Sequence, residues 1–205
     1  MKIIAASLMC ALLVACGGDD DGSGDAPDAM VSAPDADPGA PDAEPRGIDA
    51  SVVPFELTST AFANGQRFPD AHTCGGANDS PPLAWTPGPP GTLSYAIVFT
   101  DITTNFLHSS IWDIPANVTS LPENVENVAE PSVPAGSKQS LGFNGVTRGY
   151  LGPCPGSEHT YEFVIYAIDS ATLPTVNLQS SIGQVKAAAE ANDLGMASLQ
   201  GTWGP

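Results

Sequence analysis

Residues 94–100 read Ser-Tyr-Ala-Ile-Val-Phe-Thr, and residues 160–168 read Thr-Tyr-Glu-Phe-Val-Ile-Tyr-Ala-Ile. Both stretches are rich in β-branched and aromatic residues, which favour strands. Residues 52–58 and 107–114 are weaker strand candidates, and Pro/Gly-rich stretches such as residues 87–91 mark the loops between them. These segments predict a domain built mainly from strands.

One helix is predicted near the end of the chain, over residues 181–193. Apolar residues recur there at helical spacing and Gly195 offers a stop signal; the apolar residues are Ile182, Val185, Ala188 and Ala189. Many strands and one late helix are typical of a mainly antiparallel β fold with a helix packed on one side. Residues 51–205 have a length suited to one such domain.

The predicted domain is poor in basic residues, with four against thirteen acidic ones, a net charge of −9. Nucleic-acid binding requires a basic surface, which this composition excludes. The same deficit argues against electrostatic docking on anionic lipid headgroups. Any anion that the domain binds must therefore be held by backbone N–H groups, hydroxyls and histidine.

The amino terminus predicts export. Lys2 precedes an apolar run over residues 3–14, which is too short for a membrane-spanning helix of ~20 residues but has the length of a secretory signal. The run ends in Leu-Val-Ala-Cys at residues 13–16, which resembles the lipobox of bacterial lipoproteins. We expect residues 1–15 to be a signal peptide and Cys16 to carry acyl chains that anchor the protein to a membrane. The alternative is a secreted protein with a spare cysteine.

Residues 16–50 hold ten acidic residues, one basic residue (Arg46) and five prolines. The sequence Ala-Pro-Asp-Ala recurs there at residues 26–29, 33–36 and 40–43. Such a segment cannot bury enough apolar surface to offset its ordering entropy, so we expect a disordered, extended tether. Its acidic residues lack the ordered Asp-x-Asp-x-Asp-Gly pattern of a calcium-binding loop.

The expected location is the bacterial cell envelope. Gly17 and Gly18, rather than aspartate, follow Cys16, which by analogy with enteric lipoproteins favours the outer membrane over the inner one. The tether could extend on the order of 100 Å at ~3 Å per residue. The lipid on Cys16 is therefore expected to be the only firm membrane contact.

Cys74 and Cys154 are the two cysteines of the predicted domain. An even pair in an oxidising compartment favours a disulfide, which would contribute about 2–4 kcal/mol. A zinc site that combines them with His72 and His159 is an alternative, although neither Cys/His pair has the spacing of a zinc finger. Free thiols are the third possibility.

A series of motifs runs through the loops and strand ends of the domain. In chain order they are TCGGANDSPPLAW at 73–85, PGTLSYA at 90–96 leading to Asp101, His108, WDIPA at 112–116, GYLGPCP at 149–155, HTY at 159–161 and YAID at 166–169. In this order and spacing they resemble the phosphatidylethanolamine-binding protein family, specifically its bacterial branch described as Raf-kinase-inhibitor-like. The resemblance extends from about residue 55 to residue 201, nearly the whole domain.

The resemblance implies an antiparallel β-sandwich with a small anion pocket at one edge, able to receive a phosphate-type headgroup. It also implies the pocket residues by motif match. We expect no cofactor and no metal. The implied ligand-binding residues are Asp101, His108, Gly149, Tyr150, Gly152, Pro153, Pro155, His159 and Tyr161.

The chemistry of these residues suits an anion. His159 and Tyr161 are two apart in a predicted strand, so both face one side, where imidazole N–H and phenol O–H groups can donate to phosphate oxygens. Backbone N–H groups of the Gly-rich turn at 149–152 could approach an anion closely. Asp101 cannot bind an anion directly. It is expected to accept a hydrogen bond from His108 or His159, fixing that tautomer, or to meet an ammonium group.

Other residues are interpreted as structural. His72 matches none of the motifs and is expected on the surface, and Trp85, Trp112 and Trp203 are expected in packing. Tyr161 could also simply fill the core. The loop after Asp101 reads Ile-Thr-Thr-Asn where the family has Pro-Asp-Ala-Pro, so its second acid and rigid prolines are missing. This departure leaves the ligand preference open.

Three hypotheses for the function remain. The leading one is a membrane-anchored, non-catalytic module that binds a phosphate-bearing small molecule or a phospholipid headgroup. The second is inhibition of a secreted peptidase through a protein-binding surface. The third is a hydrolase that uses Ser109 or Ser110 with His108 and Asp101. It lacks a Gly-x-Ser-x-Gly elbow, and neighbouring strand residues point to opposite faces.

Overall fold

The computed structural model describes residues 53–205. The predicted signal peptide, Cys16, the tether and the start of the first predicted strand at Val52 lie outside the described residues. The elements of the described part are β1 (Leu57–Thr58), β2 (Gln66–Arg67), β3 (Leu83–Trp85), β4 (Ser94–Asp101), β5 (Phe106–Pro115), β6 (Ser120–Leu121), β7 (Lys138–Gln139), β8 (His159–Ile168), α1 (Ile182–Asn192) and β9 (Asp193–Trp203).

The strands form two sheets. The larger sheet has the order β2-β9-β8-β4-β5-β7, and the smaller one the order β1-β3-β6. Every pairing is antiparallel except that of β2 with β9. This confirms the predicted β-sandwich, and the strands predicted over 94–100, 107–114 and 160–168 lie in β4, β5 and β8.

Strand β4 shows how the layers stack, because all of its residues are buried. Its odd-numbered residues from 95 to 99 belong to the core between the two sheets. Ala96 and Val98 belong to a second core beneath α1. A strand covered on both faces has no need of polar alternation, which explains the unbroken apolar run from residue 95 to residue 99.

Helix α1 lies where the periodicity places it. Its buried residues are the predicted Ile182, Val185, Ala188 and Ala189. Ser181 caps the amino terminus: its side chain accepts from the Gln184 N–H, and the Gln184 side chain accepts from the Ser181 N–H. This reciprocal capping box satisfies donors that a helix start otherwise leaves unpaired.

The last strand, β9, was absent from the sequence-based prediction. The helix ends at Asn192 and the chain enters β9 at Asp193, continuing through Gly195 without a break. The strand contains two glycines and few β-branched residues, so its own composition is weakly β-forming. It is held by pairing with β8 along its length, in one register from His159 opposite Trp203 to Ala167 opposite Gly195, with a shift before Ile168 pairs with Asp193.

Two smaller predictions can also be compared with the fold. Trp85, Trp112 and Trp203 are all buried, as predicted. The strand observed within the predicted range 52–58 is much shorter than predicted, because only Leu57–Thr58 pairs with β3.

Within residues 53–205, no helix has both the length and the apolar character needed to cross a membrane.

Candidate functional site

A cavity of about 170 Å³ opens where the end of β4, the start of β5 and the start of β8 meet. The three strand ends lie together because Asp101 pairs with Phe106 of β5 and with Tyr161 of β8. The residues that line the cavity are Asp101, Phe106, His108, Phe143, Cys154, Pro155, His159 and Tyr161. The fold therefore brings together five of the nine residues predicted as ligand-binding.

Asp101 is held by hydrogen bonds to both of its carboxylate oxygens. Oδ1 accepts from the backbone N–H groups of Thr103 (2.9 Å) and Thr104 (3.2 Å), and Oδ2 lies 2.6 Å from Nδ1 of His159. Burial alone would raise the pKa of Asp101, but the hydrogen bonds from His159 and Thr104 hold it below its ordinary value. Of the two histidines proposed as its partner, the structure selects His159.

His108 has a different partner. Its Nδ1 lies 2.9 Å from the carbonyl oxygen of Leu151. A carbonyl can only accept, so Nδ1 carries the proton and Nε2 is the ring nitrogen left for a ligand. Burial lowers the pKa of His108, although the Leu151 carbonyl and the charge of Asp101 act in the opposite direction.

Tyr161 lies between the two histidines. Its ring centroid is 5.4 Å from that of His108 and 6.4 Å from that of His159. Tyr161 is 1% exposed and belongs to the main core, yet it also lines the cavity. Burial, with the negative charge of Asp101, raises the pKa of its hydroxyl, which therefore stays protonated as a potential donor.

The Gly-rich turn 149–153 lies outside the lining of the cavity. Gly149, Tyr150, Gly152 and Pro153 were predicted to bind ligand, but none of them lines the cavity. The N–H of Gly149 donates to Ser140, and that of Gly152 donates to Asn78 Oδ1 at 2.8 Å. Both N–H groups are therefore paired within the protein.

The segment 72–79 secures this turn. The Tyr150 hydroxyl donates to the carbonyl of His72 (2.7 Å), and the Cys74 N–H donates to the carbonyl of Pro153 (3.0 Å). A Cβ at position 152 would lie 2.2 Å from the His72 oxygen, so only glycine fits there. The turn and the segment 72–79 therefore pack backbone against backbone.

The predicted Cys74–Cys154 pair forms a disulfide, with 5.3 Å between the two Cα atoms. This geometry is incompatible with the zinc alternative, since a disulfide offers no thiolate ligands. Among the described residues no group of three or more His, Cys, Asp or Glu side chains is arranged to hold a metal. Cys154 also lines the cavity, so the disulfide connects its wall to the segment 72–79.

The expectation that His72 lies on the surface was wrong. The residue is 3% exposed, and its Nδ1 lies 3.0 Å from the carbonyl of Asp79. A histidine buried with a backbone partner is structural, and it closes the segment that supports the cavity wall.

Two aromatic residues of the cavity were missed by the sequence reasoning. Phe106 (48% exposed) and Phe143 (42% exposed) both contact the ring of His108, at centroid distances of 5.7 and 4.9 Å. Phe106 is two residues before His108 on one strand, so the alternation that paired His159 with Tyr161 could have identified it. Phe143 lies in a loop and carries no such signal.

The hydrolase arrangement is not assembled in the described domain. Ser109 and Ser110 line a separate interior cavity of about 40 Å³. Ser110 Oγ donates to Ser140 Oγ, and Asp101 contacts His159 instead of His108. The three side chains that the hypothesis requires therefore do not form a connected triad.

Stability should depend on pH through His108. Because burial lowers its pKa from the ordinary 6.5, the unfolded chain binds this proton more tightly than the folded protein does. The free energy of unfolding should therefore fall as pH decreases below about 6.5, until the lowered pKa is passed. The free energy of unfolding, measured by urea denaturation at several pH values in this range, should depend less on pH in His108→Gln than in the unaltered protein. A stability that rises with acidification equally in both proteins would contradict the assignment.

The fold and the cavity define a β-sandwich protein with a small polar site at one sheet end. The family model for the phosphatidylethanolamine-binding protein matches residues 58–204, and the chain belongs to that family. A UPF0098 protein of Methanothermobacter thermautotrophicus is 37% identical over 151 residues, which cover 72% of this chain and 97% of the relative.

Two further relatives extend the comparison. LppC of Mycobacterium tuberculosis, provisionally named a lipoprotein, is 32% identical over 204 residues, covering 94% of this chain and 92% of LppC. The crystal structure of Escherichia coli YbcL, described as a member of the mammalian PEBP family, superposes with a TM-score of 0.66 at 27% identity. That match covers 74% of this chain and 98% of YbcL.

Proposed function

We propose that this domain is a non-catalytic binding module whose cavity takes the phosphate group of a small molecule or a phospholipid headgroup. The observation that carries the proposal is the convergence of His108, His159 and Tyr161 on one cavity. Each ring has a polar atom that can contact a ligand, and the Nδ1 atoms of both histidines are held by protein acceptors. Rings oriented in this way lose little entropy on binding.

The size of the cavity limits what it can take. At about 170 Å³ it has room for several water molecules. A phosphate with a few attached atoms fits such a volume, whereas the chains of a lipid would remain outside. A lipid ligand would therefore be bound by its headgroup.

None of the four basic side chains of residues 53–205 lines the cavity. Each of the four has an acidic or carbonyl partner: Arg67 with Asp70, Lys138 with Asp113, Arg148 with the carbonyls of Gln139 and Leu178, and Lys186 with Glu190. The histidines are therefore the groups that can offset the charge of a bound anion.

Removal of both cavity histidines tests the proposal. Inorganic phosphate at 100 times its dissociation constant should stabilise the protein by about 2.7 kcal/mol. This stabilisation should vanish in the His108→Ala, His159→Ala double variant, as measured by thermal shift and calorimetry. Val146→Ala, at an exposed site outside the cavity, should retain it. Equal stabilisation of the double variant, or no saturable binding of phosphates and headgroups by the unaltered protein, would refute the proposal.

We further propose that the protein is held in the cell envelope by lipid on Cys16, with the outer membrane as the favoured location. The similarity to LppC supports this, because it covers more of the chain than residues 58–204 and so extends into the amino-terminal segment. Mass spectrometry of the mature protein should find acyl chains on Cys16, and Cys16→Ala should move the protein from the membrane to the soluble fraction. An unmodified cysteine on a membrane-bound protein would contradict this proposal.

A further inference from the structure

We propose that the cavity binds phosphate together with at least one proton, so that it prefers a phosphomonoester that carries its own P–O–H group to a phosphodiester. This inference rests on the proposed function and specifies the ligand class of the same site. It follows from the hydrogen-bond directions of the two cavity histidines.

Both imidazoles use Nδ1–H inside the protein. His108 donates it to the Leu151 carbonyl and His159 donates it to Asp101 Oδ2. Neither acceptor can supply a proton, since one is a carbonyl and the other a carboxylate whose pKa is held below its ordinary value. In its neutral form each ring therefore presents the lone pair of Nε2 to a ligand, and a lone pair repels a phosphate oxygen.

The other titratable groups around the two imidazole rings do not supply enough hydrogen-bond donors to offset these lone pairs. From β4, Asp101 brings a negative charge, and from β8, Tyr161 brings one hydroxyl donor. Glu158 precedes His159 in the chain and is exposed. Tyr150, behind the wall, donates its hydroxyl to His72. The neutral cavity thus has more acceptors than donors.

The missing hydrogen-bond donor can be supplied either by the ligand or by a protonated imidazole. A monoester monoanion has a P–O–H that donates to Nε2, and its second ionisation lies near pH ~6. A diester has no such proton at any ordinary pH, so an imidazole must first be protonated. Below pH ~6 both ligands are mainly monoanions, and a comparison there therefore isolates the hydrogen-bond donor from the total charge.

Calorimetry with methyl phosphate and dimethyl phosphate provides the first test. Near pH ~5.5, where the monoester is mainly its monoanion, it should bind about tenfold more tightly, which corresponds to one well-placed hydrogen bond. Binding of the diester should strengthen towards pH ~5, and buffers of different ionisation heat should show proton uptake. Equal affinities without proton uptake would overturn this inference alone. Absence of binding by either ligand from pH ~5 to ~8 would overturn the proposed function as well.

Asp101→Asn provides a second test, in which a substitution within the cavity is expected to increase the affinity for the diester. The two backbone N–H groups of Thr103 and Thr104 require an oxygen at the Oδ1 position, so the NH₂ of the introduced amide would face His159. That NH₂ donates to Nδ1 and moves the ring proton to Nε2, which becomes a donor. Dimethyl phosphate should then bind about tenfold more tightly at pH ~7.5. Glu158→Gln also removes one negative charge near His159, but it leaves the ring proton on Nδ1. It should therefore not increase the affinity for dimethyl phosphate.

The tautomers can be observed independently of any variant. Nitrogen–proton correlation spectra of the imidazole side chains of the unaltered protein should show the neutral His108 protonated on Nδ1. A neutral His108 protonated on Nε2, or an affinity for dimethyl phosphate that falls in Asp101→Asn, would overturn the inference.

Discussion

Replacement of Phe99 by alanine should lower the free energy of unfolding by about 3–5 kcal/mol. Phe99 is 1% exposed, and its ring stacks on those of Phe163 and Tyr150 at centroid distances of 4.2 and 5.4 Å. It also contacts His108 at 5.3 Å and Tyr161 at 5.8 Å. The truncation would open a void between the sheets and directly behind the cavity, so phosphate binding should weaken as well.

Urea denaturation measures this effect. An unchanged slope of the unfolding free energy against urea concentration would show that the variant alters stability and not the surface exposed on unfolding. Phe106→Ala is the matched control, because Phe106 also contacts His108 but is about half exposed. It should cost much less stability while still altering the cavity. If the two variants were equally stable, the assignment of Phe99 to a close-packed aromatic core would be wrong.

The second large effect is expected from the disulfide. The double variant Cys74→Ser, Cys154→Ser should lose about 2–5 kcal/mol of stability. The bond closes a loop with a sequence separation of 80, and long loops gain most when the unfolded chain is constrained. Because Cys154 and Pro155 line the cavity, phosphate affinity should fall too.

Denaturation with and without a thiol reductant separates the disulfide from the serine substitutions. The reductant should destabilise the unaltered protein by a similar amount and leave the double variant unchanged. If reduction changes neither the unfolding free energy nor the phosphate affinity, the remaining hydrogen bonds between the turn and the segment 72–79 hold the wall without the disulfide.

Local patterns predicted the parts of the fold that depend on neighbours in the sequence. Strands β4, β5 and β8 and helix α1 follow from apolar content and periodicity. The common face of His159 and Tyr161 follows from the alternation of a strand. Strand β9 could not be found in this way, because its stability comes from pairing with β8 and its own residues are weakly β-forming.

The role of each residue in the site depends on contacts between segments that are distant in the sequence. Motif matching found Asp101, His108, Pro155, His159 and Tyr161, and all five line the cavity. It also grouped with them turn residues between Gly149 and Pro153 that do not line the cavity; there the Gly149 N–H donates to Ser140 and the Gly152 N–H donates to Asn78. A motif records which residues occur together but not the direction in which each hydrogen bond points.

The sequence by itself thus determined the fold class, the family and most of the side chains that meet at the cavity. Only the tertiary structure decided that Asp101 pairs with His159, 58 residues away, and that His108 donates to Leu151, 43 residues away. It also decided that His72 is buried. The physical reason is that periodicity and motif spacing are local, whereas the partner of a polar atom is set by which strands and turns the folded chain brings within about 3 Å of it.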